Sequence, residues 1–325
     1  MTSAFVTGGS GFIGGALVRR LVAEGMRVRA LARSDDAAAR VAKLGAEPVT
    51  GSLDDVEGMT EGARSCELAF HCAAHLGDWG SPEAFTRGNV TGTRNALEAC
   101  RAAGVRRFVH VGTEAALLDG AALVAVDERA PLRFDSPALY SSTKARAEEA
   151  VLGAGHGALE TMVVRPRLVW GPGDTTILPE LAAMVRSGRF AWIGGGHHLT
   201  ATTHVDNVVE GLLLAARRGT SGGVWFVTDG PPIAFREFVT RLLATQGLQP
   251  PGRSLPAPVA RAIAAAGETL WRALPLPGRP PLTRLAVWLA SLEATIDISR
   301  ARDELGYVPV ITREEGLRRL VPSQA

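Results

Sequence analysis

Tyr140 and Lys144 stand four residues apart in the stretch Tyr140-Ser141-Ser142-Thr143-Lys144, and the chain has only two tyrosines. On a helix that spacing puts both side chains on one face. A free phenol titrates at about 10, too high for a base at neutral pH. An ammonium group one turn away favours the phenolate and lowers that value. The pair is therefore suited to moving a proton to or from an oxygen, as the interconversion of an alcohol and a ketone requires. Ser136-Pro137 offers an N-cap serine followed by a first-turn proline, which predicts helix onset just before Tyr140.

A second chemical stretch lies at the start of the chain, Phe5-Val6-Thr7-Gly8-Gly9-Ser10-Gly11-Phe12-Ile13-Gly14. An apolar run over residues 4–6 reads as a short buried strand. Beyond the glycines, Ile13, Leu17, Val18, Leu21 and Val22 recur at helical spacing. Strand, glycine turn and helix form a dinucleotide-binding fingerprint. Gly8 permits the tight turn, Gly11 lets backbone approach a pyrophosphate, and Gly14 lets helix and strand pack closely. The phosphates then meet free N–H groups at a helix N-terminus.

Strands and helices alternate from there. Strands are predicted at residues 27–32, 48–51, 68–72, 107–111 and 161–164, with helices at 37–44, 82–103 and around Tyr140–Lys144. This is the pattern of an α/β, Rossmann-type doubly wound parallel sheet. Past residue 173 the pattern loosens. A helix is expected at 177–187, a strand and glycine turn at 190–196, a helix opening at His204, and a late strand at 224–228 that returns to the sheet. Residues 231–292 read as alanine-rich helix interrupted by prolines. The implied organisation is a dinucleotide domain over 1–170 with 200–230 returning to it, and a smaller, mainly helical substrate lobe from 171–199 and 231–325.

The glycine spacing Gly-x-x-Gly-x-x-Gly after Thr7, followed by Tyr-x-x-x-Lys, resembles the short-chain dehydrogenase/reductase superfamily in its extended branch, the NAD-dependent epimerase/dehydratase group. Further pieces occur in the order of that family: Cys72-Ala73-Ala74, Asn89, the stretch from Arg165 to Gly173, His204-Val205-Asp206-Asn207, and Ala301 to Gly306. The resemblance implies that Tyr140 exchanges the substrate proton and that Lys144 also holds the cofactor ribose. It implies a third group at the end of the fifth strand that polarises the substrate oxygen. The usual serine is replaced there by Gly112, and Thr113 is aligned with the catalytic position; Glu114 beside it reads as a solvated turn residue. Cofactor contacts are expected from Gly8, Ser10, Gly11, Phe12, Ile13, Gly14, Arg33, Ser52, Leu53, Ala73, Ala74, Tyr140, Lys144, Pro166, Leu168 and Val169. The second strand is expected to end at Ala32, where an NAD enzyme usually carries Asp or Glu, and Arg33 and Ser34 follow. That favours NADP(H), with NAD(H) the alternative.

Leu76-Gly77-Asp78-Trp79-Gly80, Arg165 to Asp174 and Pro280 to Arg284 resemble 3β-hydroxysteroid dehydrogenase-like enzymes, including sterol-4-carboxylate 3-dehydrogenases and 2-alkyl-3-oxoalkanoate reductases. Residues 256–274 contain only Arg261, Glu268 and Arg272 as charges, which suits an apolar small-molecule substrate better than a sugar diphosphate. His75, Trp79 and Arg167 are the candidates for substrate contact, and Arg167 reads equally as an ion-pair partner. Arg284 is a further candidate for meeting a carboxylate. A nucleotide-sugar epimerase/dehydratase and a non-catalytic NAD(P)-binding regulator are the alternative functions. The net charge of +2, with no long basic block, argues against nucleic acid. Three dispersed cysteines, Cys66, Cys72 and Cys100, fit a reducing cytoplasm. No transmembrane segment and no signal peptide are expected, and peripheral membrane contact is left open. The expected state is a monomer or homodimer. His197-His198 lacks further ligands at a recognisable spacing, so no metal is expected.

Overall fold

The computed structural model describes residues 2–274 and 276–321. Its centre is a seven-stranded sheet: β1 (Ser3–Thr7), β2 (Arg27–Ala32), β3 (Glu47–Thr50), β4 (Leu68–His71), β5 (Arg107–Val111), β6 (Glu160–Pro166) and β7 (Gly223–Val227). The spatial order is β7-β6-β5-β4-β1-β2-β3, with every pairing parallel. The chain leaves β1 in one direction for β2 and β3, then returns across it to β4. The crevice at the carboxyl ends of β1 and β4 is therefore the switch point where doubly wound folds bind ligands.

Both sheet faces are covered, which explains the near-continuous apolar strands. One face packs on α1 (Phe12–Ala23) and α8 (Val205–Arg218). The other packs on α3 (Val56–Ala63), α5 (Gly92–Ala102) and α6 (Leu139–Ala154). α2 (Asp35–Lys43) follows β2 and is capped by Ser34, which accepts from Ala37 N.

Two local expectations differ from the structure. The helix predicted over 82–103 is α4 (Pro82–Phe85), a π-helical turn (Thr86–Thr91) and α5 in succession. The helix carrying Tyr140 is not capped by Ser136. It begins at Leu139, with Ala138 as N-cap, and the buried Ser136 hydroxyl has no hydrogen-bond partner among the described residues. Between β5 and α6 the chain also forms a 3₁₀ turn (Glu114–Leu117) and a short strand (Leu123–Val126) that pattern reading missed.

Beyond β6 come α7 (Ile177–Arg186), α9 (Phe235–Ala244), α10 (Ala257–Ala273), α11 (Arg284–Ser291) and α12 (Arg313–Leu320). Trp170, Leu178, Phe190, Trp192, Phe238 and Leu242 form a separate core there. Asp229 ties this region to the sheet. Its carboxylate accepts from Trp170 Nε1 at 2.7 Å, His204 N at 2.5 Å and Asn207 Nδ2 at 2.8 Å. α10 buries Ala260, Ala264 and Glu268, and turns Val259, Ile263 and Leu270 outward, with Leu274 just beyond its end. Among the described residues no helix is long and apolar enough to cross a membrane.

Candidate active site

The glycine turn is built as its spacing implies. Gly8 has φ +71°, and a Cβ there would stand 2.6 Å from Ala73 N at the end of β4. A Cβ on Gly14 would stand 2.2 Å from Gly8 O, so α1 sits directly against the turn. A Cβ on Gly11 would meet only Gly8 O, at 3.2 Å, so its outer side is open. Gly11 is the N-cap of α1, makes no side-chain cap bond, and is followed by no acidic residue in the first turn. The N–H groups and the positive end of the helix are therefore left for an anion. β2 ends at Ala32, Arg33 is exposed, and Asp35 and Asp36 belong to the first turn of α2. Leu168, in the stretch expected to meet the nicotinamide, has φ +39°, a strained value for a non-glycine residue.

At the carboxyl end of β5, α6 brings Tyr140 and Lys144 to one face. Lys144 is buried and Tyr140 is half-buried. Lys144 Nζ donates to Val111 O at 2.8 Å and to His110 Nε2 at 3.1 Å. An ammonium has three donors, so one is left for a ligand. Burial pushes Lys144 down to about 8, against the opposing charge of Glu148. Burial first, then the charge of Glu114, push the Tyr140 phenol up, and Thr113 lies within hydrogen-bonding reach of it. Tyr140 also packs on the apolar cluster of Leu118, Leu285 and Trp288.

Thr113 stands at the end of β5 beside Tyr140, where the alignment of the strand end puts it. Gly112 has a packing reason: a Cβ there would lie 2.7 Å from Val163 Cγ1 on the neighbouring strand. Glu114 corrects the sequence reading. It is 3% exposed, not solvated. Its carboxylate accepts from Thr113 Oγ1 at 2.9 Å and from Arg167 Nη1 at 2.5 Å. Arg167 thus takes up the ion-pair role and is 1% exposed. Arg284, likewise, is paired with Glu268.

Asn89, turned inward by the π-helical turn, accepts from His75 N at 2.7 Å and donates to Thr143 Oγ1 at 3.1 Å. It thereby fixes both α6 and the loop after β4. In that loop His75 meets the Phe85 ring edge-on at 4.7 Å, and Trp79 lies under the Arg272 guanidinium at 4.6 Å. Ser52 accepts from Asp54 N, and Leu53 O accepts from Asn95 Nδ2.

Sequence reading missed a buried pair beneath the site. His71 and His110 stack at 5.3 Å on adjacent strands. Thr93 gives its proton to Asn89 O, so His71 Nε2 donates to Thr93 Oγ1 and His71 Nδ1 accepts from Thr7 Oγ1. The signal was present, because each histidine follows directly on an apolar run, Leu68–Phe70 and Phe108–Val109.

Among the described residues no group of three His, Cys, Asp or Glu side chains is placed to hold a metal. Residues 5–257 match the 3-beta hydroxysteroid dehydrogenase/isomerase family. The chain is 48% identical to a 4-hydroxy-2-methyl-3-oxo-4-farnesyl-3,4-dihydroquinoline-1-oxide ketoreductase of Stigmatella aurantiaca, over 96% of its length and 94% of that protein. It is 37% identical to a 2-alkyl-3-oxoalkanoate reductase of Stenotrophomonas maltophilia, over 98% of both. A dTDP-glucose 4,6-dehydratase from Streptomyces venezuelae, solved with NAD bound, shares the fold with a TM-score of 0.77 at 23% identity, covering 98% of this chain and 96% of that one.

Proposed function

The chain belongs to the 3-beta hydroxysteroid dehydrogenase/isomerase family, and from that premise we propose an NAD(P)-dependent oxidoreductase that interconverts a secondary alcohol and a ketone on a large apolar substrate. The observation that carries this reading is the grouping of Tyr140, Lys144 and Thr113 at the carboxyl end of β5, on the same edge of the parallel sheet as the glycine turn that follows β1. The open side of Gly11 and the uncommitted Lys144 donor fit a dinucleotide. When bound, the nicotinamide gives or takes the hydride. Tyr140 gives the proton to the ketone oxygen in reduction, or takes it from the alcohol in oxidation. Lys144 holds the ribose and favours the phenolate. Ser10, Phe12 and Ile13 meet the phosphates, Ser52 and Leu53 flank the adenine side, Ala73 and Ala74 let the ribose pass, and Pro166, Leu168 and Val169 border the nicotinamide. His75 and Trp79 border the substrate.

NADP(H) is the preferred cofactor in this reading, supported by Ala32 at the strand end and the exposed Arg33 after it. The dinucleotide domain is 1–170 with 200–230, and the substrate lobe is 171–199 with 231–325. The apolar outer face of α10 supports peripheral contact with a membrane, and the protein works in the cytoplasm as a monomer or homodimer.

A substrate panel followed by reduced-nicotinamide absorbance tests the reading. Steroid ketones and 3-oxo acids should be reduced, or the matching alcohols oxidised, and UDP-sugars should not react. Good epimerisation of a UDP-sugar with no turnover of apolar ketones would overturn it.

A further inference from the structure

Lys144 Nζ meets two acceptors, Val111 O at 2.8 Å and His110 Nε2 at 3.1 Å. An ammonium only donates, so His110 Nε2 offers its lone pair and the imidazole proton sits on Nδ1. That Nδ1–H is buried and has no hydrogen-bond partner among the described residues. A buried donor left unpaired is destabilising, and an apolar side chain of similar size would be more favourable there. What a histidine adds at this point of β5 is therefore the Nε2 acceptor. Its ring is also held in place. His71 is bonded through both nitrogens, to Thr7 and Thr93, and stacks on His110 at 5.3 Å. Lys144 and His110 are 3 and 1% exposed, so water does not compete for their bond.

We propose that His110 is a positioning residue for Lys144: with Val111 O it takes two of the three ammonium protons, and so leaves one free donor to hold the cofactor ribose. The inference rests on the oxidoreductase reading and traces the hold of Lys144 to β5. A hydrogen bond accepted from the ammonium also favours the charged form, against the burial that brings Lys144 down to about 8. The other groups around Lys144 do not replace His110. Glu148, one turn along α6, is committed to Arg165 of β6. Glu114, in the 3₁₀ turn after β5, is committed to Arg167. Arg107, at the start of β5, pairs with Glu160. Burial keeps Tyr140 and His71 neutral, and desolvation pushes the Cys72 thiol up, so none of these brings a charge. The other charged side chains of α4, the π-helical turn, α5 and α6 are exposed to solvent.

The test is a titration of cofactor binding at several pH values, with NADP(H) and NAD(H) in turn, on the full chain and two variants. His110→Leu removes the acceptor and the unpaired N–H together. Its dissociation constant should rise about tenfold at neutral pH, and the pH at which binding fades should move about one unit lower. Its Tm should not fall. His110→Gln puts an amide oxygen within reach of Nζ and should restore binding to within about threefold of the wild type. Wild-type binding in His110→Leu overturns the inference. So does a loss in His110→Gln as large as that in His110→Leu, the pattern of a purely structural role. A readout that depends on no variant is nitrogen NMR of the wild-type imidazoles. His110 should carry its proton on Nδ1 with Nε2 bare, and a proton on Nε2 overturns the inference. Failure of the wild type to bind either nicotinamide cofactor would instead count against the function proposed above.

Discussion

The duties proposed for Tyr140 and Lys144 are separable, and substitutions should separate them. Tyr140→Phe removes only the phenolic hydroxyl, so cofactor binding should stay nearly intact while turnover falls roughly 10²–10⁴-fold. Lys144→Ala should damage both, read as a raised cofactor Kd in a binding titration alongside lost turnover. Burial brings the Lys144 ammonium down to about 8. It is charged below that value, so the contribution of that charge should be complete at lower pH and fade as pH rises through 8. Thr113→Ser should keep activity and Thr113→Val should lose it, because the hydroxyl is the functional part. Arg33→Ala tests the cofactor choice. A charge-assisted bond to a 2′-phosphate is worth roughly 1.5–3 kcal/mol, so kcat/KM with NADP(H) should fall about 10–100-fold while that with NAD(H) barely changes. An unchanged NADP(H) value would place the phosphate elsewhere. The Tyr140–Lys144 pair could be read from sequence because helical geometry alone brings the two together. Glu114 could not, because its partner Arg167 is 53 residues away and only the pairing of β5 with β6 joins them.

At the scale of elements, the glycine turn and the end of β2 were legible because local sterics and strand length fix them. Helix interruptions were not. The turn at Thr86–Thr91 keeps an apolar face much like that of a continuous helix, so periodicity hides it, yet it turns Asn89 towards Thr143. The onset of α6 just before Tyr140 was legible, but its cap was not: Ser136 lies two residues before the N-cap Ala138 and does not cap the helix. The stacked histidines of β4 and β5 carry a stability prediction. Burial, with the Lys144 charge added, holds His71 down to about 3, and His110 is held well below its ordinary value. In the unfolded chain each titrates at about 6.5. Between those values the unfolded state holds more protons, so the histidines' contribution is fully present above about 6.5 and is lost as pH falls. Each should cost about 2 kcal/mol between pH 6.5 and about pH 5. Thermal melting at the two ends of that range should show a clearly lower Tm in acid, and an unchanged Tm would mean that these imidazoles take protons inside the fold.

For the whole molecule, strand and helix alternation was enough to reveal the sheet, because each unit contributes one apolar strand and one amphipathic helix. The substrate region was legible only as helical. Its short strands, such as Trp192–Ile193 and Ser254–Leu255, pair across the chain and have no local period. The outward face of α10 gives a further test of the proposed membrane contact. Ile263→Glu with Leu270→Glu should leave turnover of a soluble substrate unchanged and abolish sedimentation with lipid vesicles. The sheet itself has a consequence for how the protein is made. β7 adds last, beside β6, yet it comprises residues 223–227 of 325. A growing chain that has passed β6 must synthesise α7 and α8 before that edge is covered. Until then Met162, Val163 and Val164 border an open row of backbone donors and acceptors, which is a template for association with other chains. The later tail seals the same region, since Tyr307 donates to Thr228 O at 2.9 Å and Asn207 holds Val310 N and Ile311 O. The protein is therefore expected to be most in need of chaperones midway through translation, and release of a chain ending before Gly223 should yield aggregate where the full chain stays in solution.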